Sequence, residues 1–441
     1  MQRLIAVTLL LAAALPAASA MFTPAERAEL VSYWNAPGRY AAGPSAGAAT
    51  EGPWGPRLTT TGSKWLWDYQ KALNIQKGPP SQNPAPQSPE QAEWDRWIQA
   101  KVDHDQWLAA AGAARANAPH VSAPADIGPE PPAPGPVPEK LAALVGNPPP
   151  FASVVGLLEY TVTFDDGEAY PYRDNVRMRP RFAYYRFSQG TQSFGPALRT
   201  LPEEELGKIF ASSGMTPSEQ RVVGAVSRLE GGFESINTYD TGFVSVGFIQ
   251  FCTLADGRHS LCDVLAREKA DNPDDFARDF QRYGIDVTPE HVLVVVDPAT
   301  GTELSGGEAV LKVVDDKRLP AVFQRAGRHS IAFRAAQIKV AKSNYWAGDD
   351  RVVIQLDGRK IECKVSDVVK SEAALATLFD RKVNRGSISP FADVVANIMR
   401  EHGLKDVKDV APYEAEIVKA TKYRVDFLQE ASLSQPPEPP K

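Results

Sequence analysis

The chain has 441 residues, 43% hydrophobic and 23% charged, enough globular-type sequence for two or three domains with buried cores. Its net charge of −6 and lack of a strong basic run argue against a nucleic-acid-binding protein. The six histidines and three cysteines show no zinc-ligand spacing and no His-Glu-x-x-His, so no metal and no cofactor is expected.

Residues 1–20 read as a secretory signal. Arg3 supplies the positive start, Leu4 to Pro16 the apolar centre, and Ala18-Ser19-Ala20 the small-residue cleavage site. The apolar run is too short for a permanent membrane span, and nothing later resembles one, so an exported protein starting near Met21 is expected. Residues 21–118 form a helical, tryptophan-rich region holding Trp34, Trp54, Trp65, Trp67, Trp94, Trp97 and Trp107. Between Glu90 and Ala118 the residues Trp94, Trp97, Ile98, Val102 and Leu108 fall on one helical stripe, which reads as a small core more readily than as a sugar-stacking face. Residues 119–150 are proline-rich, with Pro129 to Pro136 at the centre, and read as an extended spacer.

Residues 151–201 switch to a strand-like pattern and suggest a small β-rich module. Leu158 to Phe164 alternates, Asp165-Asp166-Gly167 makes a turn, and Arg181 to Phe187 is aromatic. Residues 202–430 read as mainly α. Helices are expected at Glu203–Ser212, Pro217–Glu230, Ser260–Glu268, Asp275–Tyr283, Gly307–Ala326, Ile331–Tyr345, Ser371–Val383 and Asp393–His402, with short strands at His291–Val296 and Arg351–Cys363. Thr216-Pro217-Ser218-Glu219 is a helix start, with Thr216 capping and Glu219 answering. Asp315 to Arg318 reads as a solvated charge run, and residues 431–441 as a disordered tail. Cys252 and Cys262 bracket a short polar loop; they either pair, leaving Cys363 over, or all three are thiols.

The most informative stretch runs from Arg228 to Phe251. An apolar-periodic helix ends at Glu230, two glycines stop it, and a polar hairpin leads to Gly247-Phe248-Ile249-Gln250-Phe251. The helix dipole disfavours a carboxylate at a C-terminus, so an ordinary surface role brings Glu230 no benefit, whereas partial burial would keep it protonated for general-acid work. Asp240 is the candidate second carboxylate, or else a turn residue before Gly242; Glu234 is a weaker candidate. Thr238, Tyr239, Ser245 and Gln250 are candidates for hydrogen bonds to sugar groups, although Ser245 and Gln250 fit backbone satisfaction equally well. Phe248 and Phe251 read as core.

Glu230, with Gly247-Phe248-Ile249-Gln250 about twenty residues on, resembles the lysozyme-like superfamily of lytic transglycosylases, goose-type lysozymes and chitosanases. Phe333-Arg334-Ala335-Ala336-Gln337 with Tyr345, and Leu378 to Gly386, are similar to helices of the chitosanase branch, so the resemblance spans about half the chain. Gly231 stands where transglycosylases usually carry Ser, and Asn237 to Asp240 fits neither branch closely. The resemblance implies an α+β lysozyme-like domain with a small β-hairpin and cleavage of β-1,4 bonds in an amino-sugar polymer, peptidoglycan being preferred over chitosan. It implies Glu230 as the acid; Asn384 and Gly386 read as packing the late helix end near the cleft, a substrate contact from Asn384 being the lesser alternative. A wall-binding protein that keeps the groove without catalysis is the competing expectation.

Overall fold

The computed structural model describes residues 20–44, 54–73, 88–117, 128–156, 158–173, 190–229, 231–240 and 242–438. Residues 1–19 of the expected secretory leader, the aromatic run Arg181 to Phe187 and Glu230 lie outside them. The protein is mainly α, about 52% helix and 14% strand, with several small sheets.

Helix α1 (Pro24–Trp34) starts at a Thr23–Glu26 capping box and ends on Trp34, which is fully buried and donates to the Tyr283 carbonyl at 3.1 Å. Strands β1 (Tyr40–Pro44) and β2 (Trp54–Leu58) precede helices α2 (Thr60–Ala72), α3 (Pro89–Asn117) and α4 (Glu139–Val145). Strands β3 (Ala152–Gly156), β4 (Leu158–Thr163) and β5 (Ala169–Arg173) come next. β4 lies between β1 and β5 in one antiparallel sheet, and β2 pairs with β3 in another. The chain therefore crosses the expected boundaries near 118 and 150, because each early strand needs a later one to satisfy its backbone.

Trp65, Leu66, Tyr69, Trp94, Ile98 and Val102 form a core with Leu141 and Phe151, as the helical stripe predicts. The described part of the proline-rich stretch is no free spacer. Its Gly135 and Gly128 carbonyls accept from the indoles of Trp97 and Trp107 at 3.0 and 3.1 Å, and Leu141 is fully buried. Indole N–H groups half out of water need acceptors, and the backbone of this segment, poor in internal hydrogen bonds, offers them.

In the larger unit, β6 (Gln192–Ser193) precedes α5 (Glu203–Ser213) and α6 (Pro217–Ser227), whose Thr216–Glu219 capping box forms as expected. Strands β7 (Ile236–Asn237), β8 (Ser245–Val246) and β9 (Phe251–Cys252) complete an antiparallel sheet in the order β6-β7-β8-β9. Next come α7 (Ser260–Asp271), α8 (Pro273–Asp279), and a sheet of β10 (Ile285–Val287), β11 (Leu293–Val296) and β12 (Glu303–Ser305). The expected helix over 307–326 is two, α9 (Gly306–Asp315) and α10 (Arg318–His329), parted at Asp316 in extended conformation. Pro320 requires this break, since its ring and missing N–H are tolerated only in a first turn.

Of the charge run at that break, Asp315 is exposed as expected, but its two cations are buried. Lys317 and Arg318 are covered, with Tyr160 over the ammonium at 5.3 Å and Tyr40 over the guanidinium at 4.8 Å. Lys317 also donates to the Val314 carbonyl at 2.9 Å, and Arg318 pairs with Asp316 at 2.7 Å. Aromatic faces of the β1–β4–β5 sheet thus replace water around both cations and seat that sheet on the larger unit.

Helix α11 (Ile331–Tyr345) runs through the main core, and its buried face contains Phe333, Ala336 and Ile338. The hairpin β13 (Arg351–Leu356) and β14 (Arg359–Lys364) then leads to α12 (Val365–Val368), α13 (Glu372–Arg385), α14 (Phe391–Glu401) and α15 (Glu414–Thr421) around a second core. Arg221 on α6 chelates Glu372 on α13 through Nε at 3.1 Å, and this contact holds the Glu372 carboxyl down at about 2. The first part of the expected disordered tail is docked: Ser434 Oγ accepts from the Glu372 N–H at 2.9 Å and Leu433 is buried. Ser434 satisfies donors that the start of α13 leaves open, a gain composition does not reveal.

Candidate functional site

Helix α6 stops at Ser227, three residues short of Glu230, and Leu229 is exposed. The buried apolar setting expected for the helix end is therefore absent at Leu229. The turn after Glu230 is tightly built. Gly232 N donates to Ser235 Oγ at 2.7 Å and to the Phe194 carbonyl at 3.4 Å, and Ser235 Oγ donates to the same carbonyl. A Cβ on Gly231 would occupy the place of Ser235 Oγ, and one on Gly232 would meet the Pro196 carbonyl. That crowding explains glycine at 231: Ser235 already fills the space a side chain there would take.

The hairpin rests on a glutamine. Gln337 of α11 is fully buried; its Nε2 donates to the Phe233 carbonyl at 3.1 Å and its Oε1 accepts from Phe248 N at 3.3 Å. It thereby ties the turn after Glu230 to the Gly247–Gln250 segment. Gly247 lies at φ +85 with Gln337 Oε1 against it. Gly247→Ala is expected to lower stability by about 2 kcal/mol, chiefly from left-handed strain, with the loss partly relieved in Gly247→Ala/Gln337→Ala. Urea denaturation checks this; equal, additive losses would contradict the contact.

Asp240 closes the hairpin turn. Oδ1 accepts from Gly242 N and Oδ2 from Asn237 Nδ2, both at 2.9 Å, so the carboxylate is half-buried and held in one orientation. Tyr239, also half-buried, donates its N–H to Asn237 Oδ1 at 3.0 Å. Thr238 is fully buried, accepts from Thr191 N through Oγ1 at 3.0 Å, and donates its own N–H to the Thr191 carbonyl. Ser245 is likewise buried, between Asn237 and Cys252 in the sheet. Gln250 is half-buried at φ 58 and donates to the Gly247 carbonyl at 3.0 Å.

Glu234, the weaker candidate, is engaged elsewhere. It is buried and ion-paired with Arg328 at 2.5 Å, and Arg328 also binds Glu168 at 2.9 Å. Asn384 is exposed and turns back on its own helix, donating to the Asp380 carbonyl at 2.8 Å and carboxylate at 3.2 Å. Asp380 is fully buried against Arg424, whose Nη1 donates to the Leu229 carbonyl at 3.3 Å. The late helix thus meets the candidate acid's neighbour Leu229 through Asp380 and Arg424, while the Asn384 Nδ2 is engaged within its own helix.

All three cysteines are free thiols. Cys252 Sγ lies 3.3 Å from His259 Nδ1, Cys262 donates to the Gly257 carbonyl at 3.1 Å, and burial pushes both thiols up, Cys262 to about 12. Among the described residues, Glu401, His402 and Glu416 form one group with metal-ligand chemistry, but all three are exposed and belong to the C-terminal helices. No family, no curated protein and no solved structure matches this chain. Asn237 and Arg424 are not singled out as functional by the sequence, whereas Gln337 closes the Phe333–Gln337 segment that carries part of the resemblance.

Proposed function

We propose that the protein is an exported glycoside hydrolase that cleaves β-1,4 bonds of peptidoglycan, with Glu230 as general acid. The observation that carries this reading is the oriented Asp240 carboxylate, held by Asn237 and Gly242 on a hairpin that Gln337 fastens to the turn after Glu230. In the hydrolytic step Glu230 gives its proton to the glycosidic oxygen as the bond to C1 breaks. Asp240 takes a proton from the water whose oxygen attacks C1 from the opposite face.

A second reading is favoured by one feature: both Asp240 oxygens already accept hydrogen bonds within the turn, and Glu234 is sequestered by Arg328. A single-acid reaction then has Glu230, once deprotonated, accept the proton of the sugar's own C6 hydroxyl as that oxygen attacks C1, leaving an anhydro-sugar end. Among the described residues no helix is long and apolar enough to cross a membrane.

The test is release of soluble fragments from purified peptidoglycan by the mature chain, Glu230→Gln and Asp240→Asn, with mass analysis of the ends. Glu230→Gln is expected to lose at least about 100-fold in rate, the usual share of a general acid. Loss in Asp240→Asn with reducing-end products supports hydrolysis; retained activity with anhydro ends supports the single-acid reaction. Activity that survives Glu230→Gln removes the assignment.

A further inference from the structure

We infer that Phe194 is a stacking platform for a sugar ring of the polymer, an inference that rests on the function proposed above. At 64% exposure, Phe194 is the most exposed large hydrophobic among the described residues. Single exposed apolar residues are ordinary on protein surfaces, so exposure alone assigns nothing. Placement does.

Phe194 follows β6, which pairs with β7 so that Gln192 opposes Asn237 and Ser193 opposes Ile236. Directly opposed residues of an antiparallel pair share a face. Ser193 faces α10, where Gln324 Nε2 donates to its hydroxyl at 2.8 Å, and Ile236 opposite it is buried. Gln192 belongs to the other face, with Asn237, the residue that grips Asp240. Gln192 and Phe194, which follows β6 directly, are both exposed.

The backbone beneath the ring is fixed. The Phe194 carbonyl accepts from Gly232 N and from Ser235 Oγ, so the residue is fastened to the turn that immediately succeeds Glu230. On the other side of Glu230 in the chain, Leu229 is also exposed. An exposed aromatic ring is thus fastened through its backbone to the Gly232–Ser235 turn, which leads into the hairpin carrying Asp240. A pyranose ring presents C–H groups on one face and hydroxyls at its rim, and pairs with such a surface: the apolar face covers the ring while polar neighbours take the rim.

The experiment measures peptidoglycan cleavage kinetics for the mature chain, Phe194→Ala and Phe194→Trp, and binding of N-acetylglucosamine oligomers by calorimetry in the Glu230→Gln background. Phe194→Ala is expected to raise KM and weaken oligomer binding about tenfold with kcat within about twofold, and Phe194→Trp to restore both. Cleavage with KM and binding unchanged in Phe194→Ala would overturn the platform and leave the function standing. Oligomer binding that depends on Phe194 in a chain that cleaves nothing would keep the platform and overturn the hydrolase. A chain that neither binds nor cleaves overturns both.

Discussion

Arg424→Ala is expected to destabilise the protein by about 3–5 kcal/mol, the range for removing one partner of a buried ion pair. Asp380 is fully buried on α13, and Arg424 contacts it through Nε at 2.8 Å, through Nη2, and through its backbone N–H at 3.2 Å. Without the guanidinium, the carboxylate keeps that N–H and Asn384 Nδ2, too little to replace the water it has lost. Arg424→Ala/Asp380→Asn, which removes the stranded charge, is expected to recover more than half of the loss in urea denaturation. Because Arg424 also holds the carbonyl of Leu229, the residue before Glu230 in the chain, the double variant should regain stability ahead of the proposed activity. A single variant within about 0.5 kcal/mol of the wild type would show that the pair contributes nothing.

Glu268→Gln is expected to stabilise the protein at neutral pH. Glu268 on α7 is fully buried, its carboxyl oxygens and Asp279 Oδ2 have no well-formed hydrogen bond, and burial together with the facing Asp279 carboxyl raises it to about 9. Arg278 and the Ser330 hydroxyl act in the opposite direction. The folded state therefore holds a proton on Glu268 at pH 7 that the unfolded chain has released. Between the ordinary value of 4.5 and about 9 the native state binds more protons, so this group's contribution is full below pH 4.5 and declines as pH rises. At pH 7 the deficit is about 3 kcal/mol, and it is what a neutral amide of the same shape removes. Denaturation midpoints for wild type and Glu268→Gln should coincide near pH 4.5 and diverge by pH 8; curves that stay parallel would contradict the buried proton.

Much of the helical frame was legible. Ile331–Tyr345 matches residue for residue, and α5, α7, α13 and α14 fall within three residues of expectation at their ends, because apolar periodicity and capping chemistry are local. Pro320 carried the signal that divides α9 from α10, yet the periodicity of the flanking residues concealed it. The site was less legible. Asp240 and Ser245 read equally as chemistry or as turn and sheet residues, and only the distances to Gly242, Asn237 and the neighbouring strands show how each is held.

Local sequence, by itself, determined where many of the helices begin and that tryptophans at helical spacing build a core. The helix expected to run to Glu230 instead stops at Ser227, ahead of the two glycines. Tertiary structure alone decided that Lys317 and Arg318 are covered by tyrosines from residues 40 and 160, that Glu234 belongs to Arg328, and that Ser434 completes the start of α13. Caps and periodicity act between residues three or four positions apart, so the chain displays them directly. A charge's fate depends on which group replaces its water. Those groups lie tens to hundreds of residues away, where no local pattern points to them.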